Sequence, residues 1–281
     1  MVVLRHPARS VRIAAALAEL ELDAYALPLT DVELPTDAHA VGAELAALGR
    51  GRYDWLILTS GNAARAMIHL ARARELHFPD LVRAGGVRLA AVGAATGKLL
   101  EEEGLGVHLM PDEPSAAGLL AEFPGGRGSV LLPQSNLAAD RLRAGLEELG
   151  WHVRRVEAYR TVAYPADPRR RLPGVEEMGP RPQELTWRSF AALLAQGVQP
   201  AVVFAAPSAV RRFREMLGDG PPAFIPVAIG GTTAAALRLL GWEPGATAKS
   251  PTPQGVARAV LDACTAARHP RLPAPSNGEK P

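Results

Sequence analysis

The sequence of 281 residues is 48% hydrophobic, and its 31 basic and 29 acidic side chains leave a formal net charge of +2. At roughly 150 residues per domain, this length corresponds to one large or two ordinary domains with enough apolar residues to form cores. So small a charge, with aromatic residues at only 5%, argues against a nucleic-acid-binding protein. We therefore predict a soluble globular protein that does not bind nucleic acid.

Cysteine content and the N-terminal sequence bear on the cellular compartment. The single cysteine, Cys264, excludes an internal disulfide and a cysteine-based metal cluster, as is typical of proteins in a reducing compartment. The first apolar residues reach Arg5 without a run of signal-peptide length, and no stretch approaches the roughly 18 apolar residues of a membrane span. We expect a cytoplasmic protein that contacts no membrane.

Short apolar runs alternate along the chain with amphipathic stretches, which is the pattern of parallel βα units. Strands are predicted at residues 2–4, 55–58, 88–92, 107–110, 130–132, 153–158, 201–204, 227–229 and 246–248. Helices are predicted between them at residues 10–20, 63–73, 96–103, 138–149, 210–217, 233–240 and 255–267. The fold class is therefore predicted to be α/β with parallel sheets.

The chain also repeats itself in the order A-B-A′-B′. Residues 2–27 resemble residues 130–157, and LTSGNAA at 58–64 matches FAAPSAV at 204–210. Further on, AVG at 91–93 matches AIG at 228–230, and Pro-Ser at 114–115 matches Pro-Thr at 251–252 with the same spacing. The sequence therefore contains two similar α/β halves.

Two Pro-rich connections, at 28–35 and 164–182, interrupt the repeat and argue against a helix or a central strand there. If both cross between domains, residues 1–33 and 164–268 form one discontinuous domain, and residues 36–160 form a domain inserted into it. The simpler alternative divides the chain once, near Gly126. Residues 269–281 have the composition of a disordered tail.

Hydroxyl and amide side chains occupy nearly every predicted strand-to-helix turn. In a parallel sheet these turns share one edge, where helix N-termini present backbone N–H groups and positive dipole ends. Two such edges facing each other would form a cleft suited to a polyanion. The alternative is that these residues serve only as helix N-caps, a common role of Ser, Thr and Asn. The residues are Thr59, Ser60, Gly61, Asn62, Thr96, Ser115, Ser135, Asn136, Ser208, Thr232, Thr233 and Thr252.

The sequence contains none of the common cofactor-binding and nucleophile motifs. The run from Gly93 to Lys98 is one residue too short for a P-loop, and neither it nor the run from Gly230 has the glycine spacing of a dinucleotide turn. The seven histidines lack the close pairs of a metal site, and no Gly-x-Ser-x-Gly nucleophile elbow is present. ATP, NAD, metal and covalent chemistry are therefore unsupported.

Several runs carry a resemblance to a known family. They are DWLILTSGNA at 54–63, AVG-x-x-T at 91–96, and L-x-x-x-L-x-x-x-G-x-x-V at 142–153, which leads into AYRT at 158–161. FAAPSAV at 204–210, AIG-x-TTA at 228–234 and Pro-Thr at 251–252 follow in order. By the order and spacing of these runs, the sequence from about residue 2 to 267 resembles uroporphyrinogen-III synthase.

The resemblance implies two flavodoxin-like domains, one inserted into the other and joined by two linkers. It implies cyclisation of hydroxymethylbilane, a linear tetrapyrrole bearing eight carboxylates, to uroporphyrinogen III with inversion of ring D, and no cofactor or metal. We expect a monomer, since no self-complementary apolar stripe stands out, and a transient contact with hydroxymethylbilane synthase. The competing hypothesis is a non-catalytic, bilobed module that binds or senses a small anion.

The resemblance also assigns residue roles. Tyr159 matches the family tyrosine and is the expected proton donor, although a tyrosine packed at a hinge is an equal alternative. The polar turns are expected to bind substrate carboxylates, mainly through backbone N–H groups, together with Arg5 and Arg141; both arginines could equally be solvated. The family's Thr-Ser is replaced by Ala205-Ala206 in the second half, which weakens the case for hydroxyl groups there.

Overall fold

The computed structural model of the protein describes residues 1–174, 177–218 and 222–268. These residues divide into two compact units. Unit 1 combines residues 1–30 with the described residues from 177 onward, and unit 2 is the continuous segment 31–174. Gly126 lies inside unit 2, so the single division considered at that residue does not occur. The tail predicted at 269–281 lies outside the described residues.

The boundary between the units differs from the expected one, because residues 31–33 and 164–174 belong to unit 2. Backbone hydrogen bonds join these two segments, from Leu34 N to Arg170 O at 2.7 Å and from Leu172 N to the carbonyl of residue 32 at 3.0 Å. Two buried carboxylates add ion pairs: Asp31 with Arg171 at 3.0 Å, and Glu33 with Arg170 at 3.2 Å. The expected limits at residues 33 and 164 are corrected accordingly.

The described residues contain eleven β-strands. They are β1 (Val2–Val3), β2 (Tyr25–Ala26), β3 (Thr30–Glu33), β4 (Trp55–Leu58), β5 (Arg88–Ala91), β6 (Ser129–Ser135), β7 (His152–Ala163), β8 (Gln183–Glu184), β9 (Ala201–Phe204), β10 (Ile225–Ala228) and β11 (Ala246–Thr247). The α-helices are α1 (Val11–Ala18), α2 (Ala38–Gly49), α3 (Gly61–Arg72), α4 (Phe78–Ala84), α5 (Ala94–Glu102), α6 (Ala116–Glu122), α7 (Arg141–Glu148), α8 (Trp187–Ala195), α9 (Pro207–Leu217), α10 (Gly231–Arg238) and α11 (Pro253–Arg268).

Unit 1 contains a six-stranded sheet in the order β11-β10-β9-β1-β2-β8, and its strands pair in parallel. Alternate residues of one strand enter two different cores, with Val202 and Phe204 of β9 in one and Ala201 and Val203 in the other. This alternation shows that both faces of the sheet are covered, as is usual for a parallel sheet.

Unit 2 contains a five-stranded sheet in the order β3-β7-β6-β4-β5. The pairs β4/β5, β4/β6 and β6/β7 are parallel, and Leu56 and Leu58 enter one core while Trp55 and Ile57 enter the other. β3 lies at an edge, so the Pro-rich segment that contains it avoids a central position, as its prolines require. The predicted α/β fold with parallel sheets is confirmed.

Three kinds of element differ from the sequence prediction, and the first is the set of short strands β2, β3 and β8, which were not predicted. Residues 107–110 do not form a strand, because only a single bridge joins Leu109 to Ala90 and Pro111 follows without an N–H to continue the ladder. The helices α2, α4, α6 and α8 were not predicted. Two of them, α4 and α6, are only seven residues long, which is shorter than the stretch over which a helical period can be recognised.

The repeat seen in the sequence is also present in the geometry of matched turns. Ser115 Oγ accepts a hydrogen bond from Gly118 N at 2.9 Å, and Thr252 Oγ1 accepts one from Gly255 N at 3.1 Å. A Cβ on Gly118 would lie 2.2 Å from a carbonyl oxygen, and one on Gly255 would lie 2.4 Å from a carbonyl oxygen. Both turns therefore require glycine at the same place. No helix among the described residues is long and apolar enough to cross a membrane.

Candidate active site

The carboxyl ends of β4, β5 and β6 in unit 2 meet at one edge of the sheet, because these strands are parallel. Thr59 directly follows β4, and Ser60 is the N-cap of α3. Its Oγ accepts a hydrogen bond from Ala63 N at 3.2 Å. Gly61 and Asn62 open the helix and are half-buried. This turn thus adopts the capping geometry that its sequence predicts.

Tyr159 is brought to the same turn by an irregularity in β7. Gln134 of β6 pairs with Glu157, but the next residue, Ser135, pairs with Tyr159, so β7 contains one extra residue. Such a bulge re-aims the side chains that follow it. The hydroxyl of Tyr159 lies 3.2 Å from Ser60 Oγ, and either atom can donate. When Ser60 donates, the phenolic hydrogen of Tyr159 is available to a ligand.

Ser135 and Asn136 use their side chains within the protein. Ser135 Oγ donates to Asn136 Oδ1 at 3.0 Å and accepts from the backbone N–H of residue 137 at 3.2 Å. Asn136 Oδ1 also accepts from Thr161 N at 2.8 Å, and Asn136 N donates to the carbonyl of Tyr159 at 3.2 Å. These bonds hold β7 at the carbonyl of Tyr159 and at Thr161, two residues further along, so Ser135 and Asn136 have a positioning role.

Thr96 is placed less favourably than Arg141 for binding through its side chain. Thr96 is the third residue of α5 and is only 5% exposed. The N-cap of that helix is Gly93, which has no side chain to satisfy the first N–H groups, so the helix N-terminus itself remains the anion-binding feature. Arg141 is the first residue of α7 and is exposed.

The corresponding edge of unit 1 presents fewer side-chain groups. Ser208 is the second residue of α9, whose N-cap Ala206 makes no side-chain bond. Thr232 is exposed near the start of α10, whereas Thr233 is only 2% exposed. The N-cap of α10 is Gly230, again without a side-chain bond. In unit 1, therefore, the helix N-termini are the main polar groups at this edge.

Arg5 follows β1 and is half-buried. Burial lowers the pKa of its guanidinium from the ordinary value, and the nearby carboxylate of Glu177 acts in the opposite direction. Glu177 accepts from Arg12 N at 2.8 Å and pairs with the Arg12 side chain at 3.4 Å. Arg9 and Arg12 both add positive charge near Arg5. This part of unit 1 is therefore electropositive, with one carboxylate already bound at the start of α1.

Two polar residues of unit 2 were not singled out from the sequence. Gln134 is 5% exposed, and its Oε1 has no hydrogen-bond partner among the described residues; the same holds for Nε of Arg160. The one available signal was a polar residue directly after the apolar run VLLP at 130–133. Within the described ranges, no group of three or more His, Cys, Asp or Glu side chains is arranged to hold a metal ion.

The family assignment comes from a model of the family described as uroporphyrinogen-III synthase HemD, which matches residues 11–258. The chain belongs to the uroporphyrinogen-III synthase family. Its relatives carry the same name, so the chain is an enzyme of porphyrin biosynthesis, a lyase that acts on a tetrapyrrole. The sequence-based recognition is confirmed.

Individual relatives are distant in sequence but cover most of the chain. The chloroplastic uroporphyrinogen-III synthase of rice (Oryza sativa subsp. japonica) is 26% identical over 278 residues, which is 95% of this chain and 81% of that protein. A putative uroporphyrinogen-III synthase of Methanothermobacter thermautotrophicus is 27% identical over 222 residues, 78% of each chain.

Solved structures of the family share the fold. A crystal structure of a mutant uroporphyrinogen III synthase from the extremely thermophilic bacterium Thermus thermophilus has a TM-score of 0.67 at 20% identity, covering 94% of this chain and 98% of that one. The Helicobacter pylori synthetase has a TM-score of 0.54 at 19% identity, covering 92% and 97%. At sequence identities of 20% and 19%, the similarity of these structures shows a shared fold, which is a two-domain α/β fold.

Proposed function

We propose that this enzyme cyclises hydroxymethylbilane to uroporphyrinogen III with inversion of ring D. The observation that carries the proposal is the placement of the Tyr159 hydroxyl 3.2 Å from Ser60 Oγ, where parallel strands of unit 2 end. A phenol held by a helix-capping serine is a defined proton donor beside a helix N-terminus, which favours anionic groups. Family membership supplies the substrate class.

The reaction begins with loss of the hydroxyl group of ring A. Tyr159 supplies a proton to the leaving oxygen, the C–O bond breaks as the lone pair of the pyrrole nitrogen expels water, and ring A remains as an electrophilic, protonated azafulvene cation. Ring D then attacks through its substituted carbon and forms a spiro intermediate, which fragments and recloses in the inverted orientation. The final ring loses a proton to restore the pyrrole, and this proton returns the Tyr159 phenolate to the phenol. The pyrroles supply the electron pairs, so the protein contributes proton delivery and geometry.

To bring the reacting rings together, the protein must hold the carboxylates of the substrate. In unit 2 we assign this role to the turn Thr59 to Asn62, to the start of α5 at Thr96, and to Arg141. In unit 1 we assign it to Arg5, Ser208, Thr232 and Thr233. Most of the binding is expected through backbone N–H groups, since α5, α9 and α10 begin without a side-chain cap. Ser135 and Asn136 support the site by holding Tyr159.

The cellular setting completes the proposal. We propose a cytoplasmic monomer that needs no cofactor or metal and contacts hydroxymethylbilane synthase transiently to receive an unstable substrate. The rice relative is named as chloroplastic, which describes that protein.

The test is an isomer assay. Hydroxymethylbilane closes by itself to the type I isomer, so purified protein is mixed with it, and the products are oxidised and separated by chromatography. The expected result is type III in excess over a protein-free control. Type I alone, at the rate of the control, would refute the catalytic proposal. Binding of the bilane without turnover would instead favour the non-catalytic anion-binding module.

A further inference from the structure

Gln134 is a buried polar residue near the end of β6 in unit 2. It follows four buried residues of β6, is itself only 5% exposed, and its Oε1 has no hydrogen-bond partner in the part of the chain that the structure describes. Buried acceptors in native proteins almost always have a partner, so an unpaired one calls for an explanation in a ligand, a water molecule or a functional constraint.

A second unpaired buried atom, Nε of Arg160, lies on the neighbouring strand. Gln134 and Glu157 are paired residues of β6 and β7, and directly opposed residues share one face of a sheet. The guanidinium of Arg160 lies 3.8 Å from the Glu157 carboxylate, so Glu157, which is opposite Gln134 in the sheet, is also close to Arg160. An unpaired acceptor and an unpaired donor on a cation thus both adjoin Glu157, and Arg160 directly follows Tyr159 in the chain.

We propose that Gln134 and Arg160 form a subsite for one pyrrole ring of the substrate. Oε1 of Gln134 accepts a hydrogen bond from the ring N–H, and Arg160 binds a carboxylate on the same ring. The chemistry selects this ligand, because a simple anion would pair with Arg160 but has no hydrogen to give to Gln134. A carboxylated pyrrole has both groups. The inference rests on the function proposed above and adds two positioning residues to it.

Access to the two side chains fits this role. Arg160 retains 34% exposure of its side chain, so its terminal nitrogens can be reached by a carboxylate. Oε1 of Gln134 is covered and must turn toward the edge, and no hydrogen bond of Oε1 to the described residues opposes this movement. A side chain without a fixed partner can therefore reorient at low cost when a donor arrives.

The experiment compares Gln134→Met, Arg160→Met and the control Arg155→Met with the wild-type chain, using hydroxymethylbilane. Arg155 is also on β7, but its guanidinium is already engaged by the carbonyl of Ala138 at 3.0 Å and by Asp140 at 3.3 Å. KM, kcat, the fraction of type III product and the melting temperature are measured for each. Methionine keeps approximately the length of glutamine and removes the acceptor.

We expect KM to rise between about 2- and 10-fold in Gln134→Met, the range of one neutral hydrogen bond. In Arg160→Met the rise is between about 10- and 100-fold, because the lost bond is to a charged group. In both variants kcat changes less than KM, which is the signature of lost binding. Arg155→Met keeps the wild-type KM.

Two results would overturn the inference, and they are distinguishable. If the wild-type chain makes type III product while both variants keep its KM, the unpaired atoms serve no ligand. A raised melting temperature in Gln134→Met would then identify a purely structural defect or a buried water. If the wild-type chain gives only type I, the proposed function fails and the subsite fails with it.

Discussion

The carboxyl edges of the two units come from the same strand-turn-helix repeat but differ in their chemical groups. The N-caps of the matched helices have nearly the same backbone, with φ −156° and ψ 152° at Ser60 and φ −165° and ψ 157° at Ala206. Ser60 caps its helix and contacts Tyr159, whereas Ala206 makes no side-chain bond. The backbone geometry of the two turns is therefore the same. In unit 2 the N-cap side chain makes hydrogen bonds, whereas in unit 1 the helix begins without a side-chain cap.

This difference indicates a division of labour. The second matched pair of helices, α5 and α10, has Gly93 and Gly230 as N-caps, and neither has a side chain to occupy the first N–H groups. Both units can thus bind carboxylates through helix N-termini. Only unit 2, within the described residues, adds a phenol and its hydrogen-bonding network at the same edge. Within the proposed function, the proton donor therefore lies in unit 2, and the helix N-termini of each unit can hold carboxylates.

The largest expected effect follows removal of the phenol. In Tyr159→Phe we expect kcat to fall about 100-fold, the lower range for a positioned proton donor, with folding intact. Steady-state kinetics with hydroxymethylbilane measures the fall. The matched control is Tyr25→Phe, since Tyr25 is a half-buried tyrosine of unit 1 outside the proposed site. An unchanged kcat in Tyr159→Phe would remove the acid role and favour a packing role at a hinge.

A tyrosine near the opposite end of unit 2 provides a contrast in stability. Tyr53 donates a hydrogen bond to Glu44, and Arg154 Nε binds the same carboxylate at 2.6 Å. Glu44 is buried, so it depends on both partners. In Tyr53→Phe we expect the free energy of unfolding to fall by about 1.5–3 kcal/mol, the range for a hydrogen bond to a charged group, with little change in kcat. Urea denaturation measures the loss.

The same tyrosine predicts a pH dependence. Burial raises the pKa of Tyr53 above its ordinary value of 10.0, and the hydrogen bond to Glu44 raises it further. Above about pH 10 the unfolded chain therefore loses this proton while the folded protein keeps it, and the stability falls as the pH rises. Tyr53→Phe should lose stability less steeply above about pH 10 than the wild-type chain. The free energy of unfolding of both chains is measured by urea denaturation at several pH values. If the two chains lose stability equally steeply above about pH 10, the prediction is contradicted.

A smaller effect is expected where the two helix caps differ. Ser60→Ala removes the cap of α3, so the free energy of unfolding should fall by about 1 kcal/mol. It also releases the Tyr159 hydroxyl, and kcat should fall several-fold because the donor is less well oriented. Thermal unfolding and steady-state kinetics measure the two effects. A loss of stability with kcat unchanged would show that Ser60 is only a cap.

The local parts of this site could be predicted from sequence, and the long-range parts could not. The turn at Thr59 to Asn62 follows from an apolar strand next to a capping residue. The bond between Ser60 and Tyr159 joins positions 99 residues apart and depends on a bulge in β7 that no spacing reveals. Resemblance to a family, rather than pattern, pointed to Tyr159.

The sequence also did not reveal which polar residues of a helical turn are buried. Thr96 and Thr233 stand among the predicted ligand-binding residues, yet they are only 5% and 2% exposed. Each is the third residue of its helix, and the register that turns it toward the sheet is set by tertiary packing. Gln134 shows the converse, because the predicted strand ends at residue 132, whereas β6 continues to Ser135 and buries Gln134 within it.

The smallest predicted change transfers a feature of unit 2 to unit 1. Ala206→Ser places a hydroxyl on a backbone that already has the geometry of Ser60, so α9 should gain a cap and the free energy of unfolding should rise by about 0.5–1 kcal/mol. If the N-terminus of α9 holds a substrate carboxylate, the new hydroxyl competes for the same N–H groups, and KM should rise several-fold with kcat unchanged. Stability and affinity would then move in opposite directions, which a general folding defect cannot produce. A more stable variant with unchanged KM would exclude α9 from substrate binding and leave unit 2 as the main binding edge.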